Sequence, residues 1–176
     1  GAVSAGANAV KFQKRDLNDI YKSNVLDDPT IESQGFEILI DVLKNVELNE
    51  EQYHEILEYC KIKKISFLCT AWDKKSVNFL ESLNISSYKI ASADMTNLPL
   101  IKYIIKTKKP IIVSTGMSTA EEIEKTVKFL KNENAEFILL HSNSTYPAPI
   151  ESLNLCLISQ MREKYDVPVG YSGHEP

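Results

Sequence analysis

The sequence predicts an α/β fold of parallel strands and crossover helices, and within that class an incomplete (β/α)8 TIM barrel. Three observations carry this prediction. Short runs rich in β-branched residues alternate with helical patterns, polar residues follow nearly every run, and six such runs occur where a barrel has eight.

The predicted strands are short and bounded by turn residues. They are residues 9–13 (AVKFQ), 65–69 (ISFLC), 88–91 (YKIA), 110–114 (PIIVS), 137–141 (FILLH) and 167–171 (VPVGY). Helices are predicted between them by N-caps followed by apolar residues at helical spacing. Asn49 precedes a stripe at Tyr53, Ile56, Leu57 and Cys60, and Thr119 precedes one at Ile123, Val127 and Leu130.

An open doubly wound sheet is the competing architecture. No GxGxxG follows any predicted strand, which weakens its dinucleotide-binding form. Polar residues at the carboxyl ends of several strands favour the barrel, because barrel active sites are built at that rim. The strand count predicts that residues 1–176 are a partial barrel catalytic domain, about strands 2 to 7, lacking roughly one strand at each end.

Two further features bound the function. The net charge of -4 and pI near 5.5 predict neither a nucleic-acid nor a membrane partner. Three scattered cysteines without metal-ligand spacing predict a cytoplasmic location. Residues 14–48 form a long connection that contains a predicted helix, GFEILIDVLKNV, and this connection is either a surface decoration or a lid over the rim.

Two lysines are predicted to point into the barrel. In YKIA the alternation places Lys89 opposite Tyr88 and Ile90, and in AVKFQ it places Lys11 and Gln13 on the inner face. Buried ammonium groups require compensation, so either each lysine pairs with a carboxylate such as Asp94, or both line a pocket for a small anion. Hydroxyls at strand ends favour the pocket: Thr70, Ser92, Ser114 and Ser172. A Schiff base on either lysine is the rival interpretation.

Three loops at strand ends carry further candidates. STGMST, residues 114–119, leads into a helix N-terminus and is either an anion neighbour or a simple cap. HSNSTYPAP, residues 141–149, places Ser144 and Tyr146 where a sugar could be recognised. His174 in GYSGHEP is the best single metal candidate, although a lone histidine is more often simply solvated.

Together these motifs resemble one family. AGANAVKFQ, YKIASADMTNLPLIKYI, KPIIVSTGMSTAEEI, LLHSNSTYPAP and VPVGYSGHE occur in the order typical of the N-acetylneuraminate (sialic acid) synthase family, over nearly all 176 residues. The resemblance implies a barrel that condenses phosphoenolpyruvate with an N-acetylated mannose-type sugar, giving a nonulosonic acid and phosphate. It also implies a homodimer completed by a C-terminal antifreeze-like domain, which this sequence lacks.

The resemblance also implies residue roles. Lys11, Thr70, Lys89, Ser92, Ser114 and Ser172 match positions that hold phosphoenolpyruvate, while Asp94 and Tyr146 match positions near the sugar. His174 matches one of two histidines that bind a divalent metal, Mn²⁺ or Mg²⁺. Gln13 and Ser144 complete the predicted substrate-binding set.

The sequence departs from the family pattern in two places. Ser172, Gly173 and His174 stand where many members read SDH, and Ser144 follows HSN where the family has an asparagine or serine after a His-Cys-Thr run. VKFQKRD with SGHE is similar to the legionaminic acid branch. The alternatives are a Schiff-base or other phosphoenolpyruvate-dependent aldolase, and an inactive sugar-phosphate-binding fragment.

Overall fold

The computed structural model describes residues 1–23, 26 and 36–175, except for the side chains of residues 36–39. The chain divides into two compact units, Gly1–Ile85 and Ser86–Pro176. Across the described ranges, no helix has both the length and the apolar character that crossing a membrane requires.

The first unit contains two parallel strands, β1 (Ala9–Lys14) and β2 (Ser66–Ala71). Their register places Phe12 opposite Cys69 and Gln13 opposite Thr70. The Phe12 and Phe67 rings stack at 5.5 Å, on the face that also carries Val10 and meets the helix that follows Asn49. The opposite face of β1 therefore carries Lys11 and Gln13, as the alternation predicts.

The described part of the first unit contains four helices, and three of them begin at side-chain caps formed by Asp16, Asn49 and Asp73. The four helices are α1 (Leu17–Ile20), α2 (Phe36–Val46), α3 (Glu50–Lys63) and α4 (Lys74–Ser82). Asn49 forms a capping box with Gln52, in which each side chain bonds the other's backbone N–H at 2.9 Å. Buried Tyr53 and Cys60 mark the predicted apolar stripe of α3. Both the cap and the stripe are confirmed.

The predicted helix in the long connection is α2, which buries Ile40 and Leu43. Much of the connection, residues 24–25 and 27–35, lies outside the described residues. The choice between a lid and a surface decoration falls there and stays a prediction.

The second unit contains four parallel strands in sequential order, β3 (Tyr88–Ile90), β4 (Ile111–Ser114), β5 (Phe137–Ser142) and β6 (Val169–Ser172). The last strand begins at Val169 rather than Val167, because Pro168 has no N–H to donate to the ladder. Strand positions elsewhere agree with the predicted runs to within one or two residues.

Three helices separate these strands, α5 (Leu98–Ile105), α6 (Ala120–Asn132) and α7 (Cys156–Tyr165). Thr119 and Glu122 form the capping box of α6, so the cap predicted in STGMST is present. The helices cover one sheet face, and the core there is fully closed: Tyr88, Ile90, Ile101, Ile104, Val113, Leu130 and Leu139 are each 0% exposed.

Candidate functional site

Lys89 is a buried lysine on β3, the first strand of the second unit. Its side chain is 6% exposed, and its Nζ donates to Ser114 Oγ at 2.6 Å and to the Ile90 carbonyl at 2.8 Å. Ser114 is itself 3% exposed. The two residues lie on neighbouring strands, so the sheet register rather than a flexible loop fixes their contact.

The register of the four strands shows which predicted residues share a face. Lys89 pairs with Ile112, Ser114 with Leu140, and Ser142 with Ser172. Because paired residues in a sheet point to the same side, Lys89, Ser114 and Ser172 lie on one face, opposite the helices. The orientation that alternation predicts for Lys89 is confirmed.

Gly116 lies close to two hydroxyls beyond the strand ends, those of Ser92 and Ser144. Its N–H donates to Ser92 Oγ at 3.2 Å. A Cβ at Gly116 would lie 2.8 Å from Ser144 Oγ and 3.0 Å from both Cβ and O of Ser142, so a larger residue here would require these neighbours to shift. The structure thus brings Ser92, Ser142 and Ser144 close to Gly116, a grouping that the sequence analysis missed.

The loop after β5 carries the remaining sugar-site candidates. Ser144 is exposed, and Tyr146 is 82% exposed with its ring 5.2 Å from that of His174. Ala148 N donates to the His174 carbonyl at 2.9 Å. The structure therefore brings Tyr146 and His174 together.

Asp94 lies on the short 3-10 turn Ser92–Asp94 that follows β3. Its Oδ1 accepts from Asn97 Nδ2 at 3.0 Å, and Asn97 in turn caps α5. Asp94 is therefore placed two residues after Ser92, at the rim where the predicted pocket lies.

His174 supplies one possible metal ligand. Among the described residues, no group of three or more His, Cys, Asp or Glu side chains is arranged to hold an ion. A single imidazole does not hold a divalent cation by itself, so the described residues form no complete metal site, and the metal role of His174 stays a prediction.

The first unit carries a second set of predicted residues. Lys11 and Gln13 are exposed on the face of β1 that turns away from α3, and Thr70, in register with Gln13, is 2% exposed. Phe12 and Cys69 lie on the other face. Burial raises the pKa of the Cys69 thiol to about 12, which makes this thiol a poor nucleophile.

Arg15 is a residue of this rim that the sequence analysis missed. Gln13 Oε1 accepts from Arg15 Nη2 at 2.9 Å and from Trp72 Nε1 at 3.0 Å. The Arg15 guanidinium lies 4.8 Å from the centre of the Trp72 ring, and its Nε is 2.8 Å from Glu47 Oε1. The alternation through Lys11 and Gln13, continued by two residues, could have identified Arg15.

The pKa of Glu47 reflects both its burial and the charges close to it. Burial raises the pKa of its carboxyl group, and the nearby charges of Arg15 and Lys14 act in the opposite direction. The net direction is upward, so desolvation outweighs the ion pair here. No local sequence pattern predicts this pairing, because Arg15 and Glu47 lie near opposite ends of the long connection.

Hydroxyls, backbone N–H groups and an ammonium are all hydrogen-bond donors. At the strand ends of the second unit they suit a small anion, since charged acceptors form the strongest bonds with such donors. The first unit presents an ammonium, an amide and a hydroxyl on one face of its strand pair. Whether Lys11 and Lys89 act on one anion stays a prediction.

Comparisons with known proteins show the family to which the chain belongs. A family model described as the NeuB family matches residues 1–176. MJ1065 of Methanocaldococcus jannaschii is 39% identical over 98% of this chain and 48% of its own. N-acetylneuraminate-9-phosphate synthase of Drosophila melanogaster is 34% identical over 99% of this chain and 48% of its own. N,N'-diacetyllegionaminic acid synthase of Legionella pneumophila is 32% identical over 98% of this chain and 51% of its own.

Solved structures support the fold class. The sialic acid synthetase of Leptospira borgpetersenii matches with a TM-score of 0.87 and 30% identity, over 99% of this chain and 57% of that one. A truncated 3-deoxy-D-arabino-heptulosonate 7-phosphate synthase of Thermotoga maritima matches at a TM-score of 0.64 and 13% identity, over 97% of this chain and 65% of that one, which bears on fold alone. The predicted fold class, an incomplete (β/α)8 barrel, is confirmed.

The chain spans about half the length of the curated relatives it matches. The family match nevertheless extends from residue 1 to residue 176, through every strand and every candidate residue described above. This chain belongs to the NeuB family.

Proposed function

We propose that the whole protein condenses phosphoenolpyruvate with an N-acetylated mannose-type sugar, giving a nonulosonic acid and phosphate. The observation that carries this proposal is the buried Lys89–Ser114 pair at the strand ends of a NeuB-family chain. Relatives named N-acetylneuraminate-9-phosphate synthase and N,N'-diacetyllegionaminic acid synthase support the class of product.

The hydrogen bonds already present orient the proposed anion site. Ser114 Oγ accepts from Lys89, and Ser92 Oγ accepts from Gly116 N–H. A hydroxyl that accepts from the protein keeps its own proton for a ligand, so both serines are set to donate. We assign the phosphate or carboxylate of phosphoenolpyruvate to these donors, with Ser172 on the same face.

The first unit supplies further proposed contacts. Gln13 Oε1 is occupied by Arg15 and Trp72, which leaves the amide nitrogen of Gln13 to donate to substrate. Lys11 and Thr70 share its face, and we propose that they contact phosphoenolpyruvate as well. The related Leptospira synthetase was solved in complex with citrate, a small polycarboxylate, which supports carboxylate binding in the family.

The proposed reaction balances without a redox partner. C3 of phosphoenolpyruvate forms a bond to the aldehyde carbon of the open-chain sugar, and the aldehyde oxygen becomes a hydroxyl by taking a proton. Water adds at C2, and phosphate leaves with cleavage of its bond to C2. Lys89 and the serine hydroxyls hold the anion in a fixed position relative to the aldehyde, which lowers the entropic part of the activation barrier. Tyr146, Ser144 and Asp94 are assigned to the sugar.

Two parts of the proposal, a bound cation and a second subunit, extend beyond the described residues. We propose that His174 provides one ligand to a divalent cation, Mn²⁺ or Mg²⁺, which when bound would polarise a carbonyl oxygen. The remaining ligands must come from elsewhere, and no step is assigned to the cation. We also propose that the full-length protein is a homodimer.

Phosphate release tests the proposed function. The full-length protein should release phosphate from phosphoenolpyruvate only when Mn²⁺ and an N-acetylated hexosamine are both present. Addition of three carbons converts C6 of the sugar into C9 of the product, so three acceptors distinguish the branches: N-acetylmannosamine, its 6-phosphate and its 6-deoxy diacetamido analogue. No release with any of them would contradict the proposal.

Borohydride trapping separates this reaction from a Schiff-base aldolase. Under the proposed mechanism Lys89 acts as an ammonium donor, so borohydride with both substrates should leave the mass of the protein unchanged. A covalent adduct on Lys89 or Lys11 would instead establish the aldolase.

A further inference from the structure

Asn143 bridges the base of the loop that follows β5. Asn143 Nδ2 donates to the Ser152 carbonyl at 3.0 Å and to Ser152 Oγ at 2.9 Å. Its Oδ1 accepts from Thr145 N at 2.8 Å. Asn143 thus bonds both ends of the segment from Thr145 to Ser152, and its amide group is used within the loop.

Other contacts stiffen the far end of the same loop. Ser152 Oγ donates to the Pro149 carbonyl at 2.8 Å, and the buried His141 donates from Nε2 to the Leu153 carbonyl at 2.7 Å. These bonds shape the turn at Ile150–Ser152. Asn143 alone among these side chains connects that turn to the start of the loop.

Two residues between Asn143 and Ser152 are assigned to the sugar. Ser144 follows Asn143 directly and approaches Gly116, and Tyr146 lies against His174. Lys89 and Ser114, assigned to phosphoenolpyruvate, lie instead on strands β3 and β4, whose ladder fixes them independently of the loop.

We propose that Asn143 is a positioning residue that sets the affinity for the acceptor sugar by closing the loop onto Ser152. This inference rests on the proposed function for its substrate and on the hydrogen bonds of Asn143 for its mechanism. Without the bridge the loop samples more conformations, and binding the sugar must then order Ser144 and Tyr146.

Two variants dissect the bridge in the full-length protein. Asn143→Ala removes every contact, whereas Asn143→Asp keeps the acceptor for Thr145 N–H and loses both donors to Ser152. Both variants should raise KM for the sugar about tenfold, the scale of a modest misplacement, with KM for phosphoenolpyruvate unchanged. Asn154→Gly is the matched control, because Asn154 Nδ2 also donates to the Ser152 carbonyl but lies outside the bridge. It should keep the wild-type KM for the sugar.

Hydrogen exchange gives a readout that does not depend on activity. Both Asn143 variants should exchange faster at the amides of residues 144–153, while β3 and β4 keep their protection. Equal increases in both KM values, or a wild-type sugar KM in Asn143→Asp, would overturn the inference. If the wild-type protein released no phosphate, the proposed function would fail, whereas unchanged exchange in the variants would refute the bridge itself.

Discussion

Lys89 and Lys11 were predicted by the same alternation rule, yet the two units give them different environments. Lys89 is 6% exposed and bonded to Ser114, whereas Lys11 is exposed on the face of β1. A buried ammonium acts at short range through fixed hydrogen bonds, while an exposed one acts through a field that solvent and salt weaken. The comparison shows that the two-residue period of a strand predicts the direction of a side chain, whereas the strength of the electrostatic interactions of its charge depends on burial.

Replacement of Lys89 should have the largest effect. Lys89→Met keeps the length of the apolar stem and removes the ammonium, so kcat/KM for phosphoenolpyruvate should fall about 100- to 1000-fold, since loss of a desolvated charged donor costs about 3–4 kcal/mol. Stability should change by less than about 1 kcal/mol, because removal of a buried charge offsets the lost hydrogen bonds.

Steady-state kinetics and urea unfolding measure these two effects. Lys128→Met, on the exposed side of α6, is the control and should match the wild type in both. If Lys89→Met released phosphate at the wild-type rate, the anion site would not lie at Lys89.

Replacement of Lys11 should have a smaller and salt-dependent effect. Lys11→Met should lower kcat/KM about tenfold at low ionic strength, and this loss should shrink as salt is added, because exposed charges are screened beyond about 10 Å at 0.1 M. The loss in Lys89→Met should persist at every salt concentration. The opposite pattern, a screened loss at Lys89 and a constant one at Lys11, would reverse the comparison.

Much of the fold follows from periodic features of the sequence. The strands are predicted because β-branched runs alternate with helix stripes, and the caps Asn49 and Thr119 are predicted because each precedes such a stripe. The shared face of Lys89, Ser114 and Ser172 follows from a period of two residues.

The contacts that the sequence did not predict are aperiodic. Arg15 meets Glu47 across the long connection, and Gly116 meets Ser144 across two strand ends. The Asn143–Ser152 bridge depends on the dihedral angles of the loop. Such pairings arise from backbone paths that no single residue type specifies, so composition and spacing carry little information about them.

The smallest expected effect compares the two units through matched helix caps. Asn49 begins α3 in the first unit and Thr119 begins α6 in the second, and each forms a capping box with the third residue of its helix. Asn49→Ala and Thr119→Ala should each lower the free energy of unfolding by about 1 kcal/mol, because one backbone N–H at the helix start loses its acceptor. Asn49→Asp and Thr119→Ser keep an acceptor and should keep near wild-type stability.

In urea unfolding of the full-length protein, equal shifts of a single transition would mean that the two units unfold together. Two transitions, each moved by one variant only, would mean that they unfold separately.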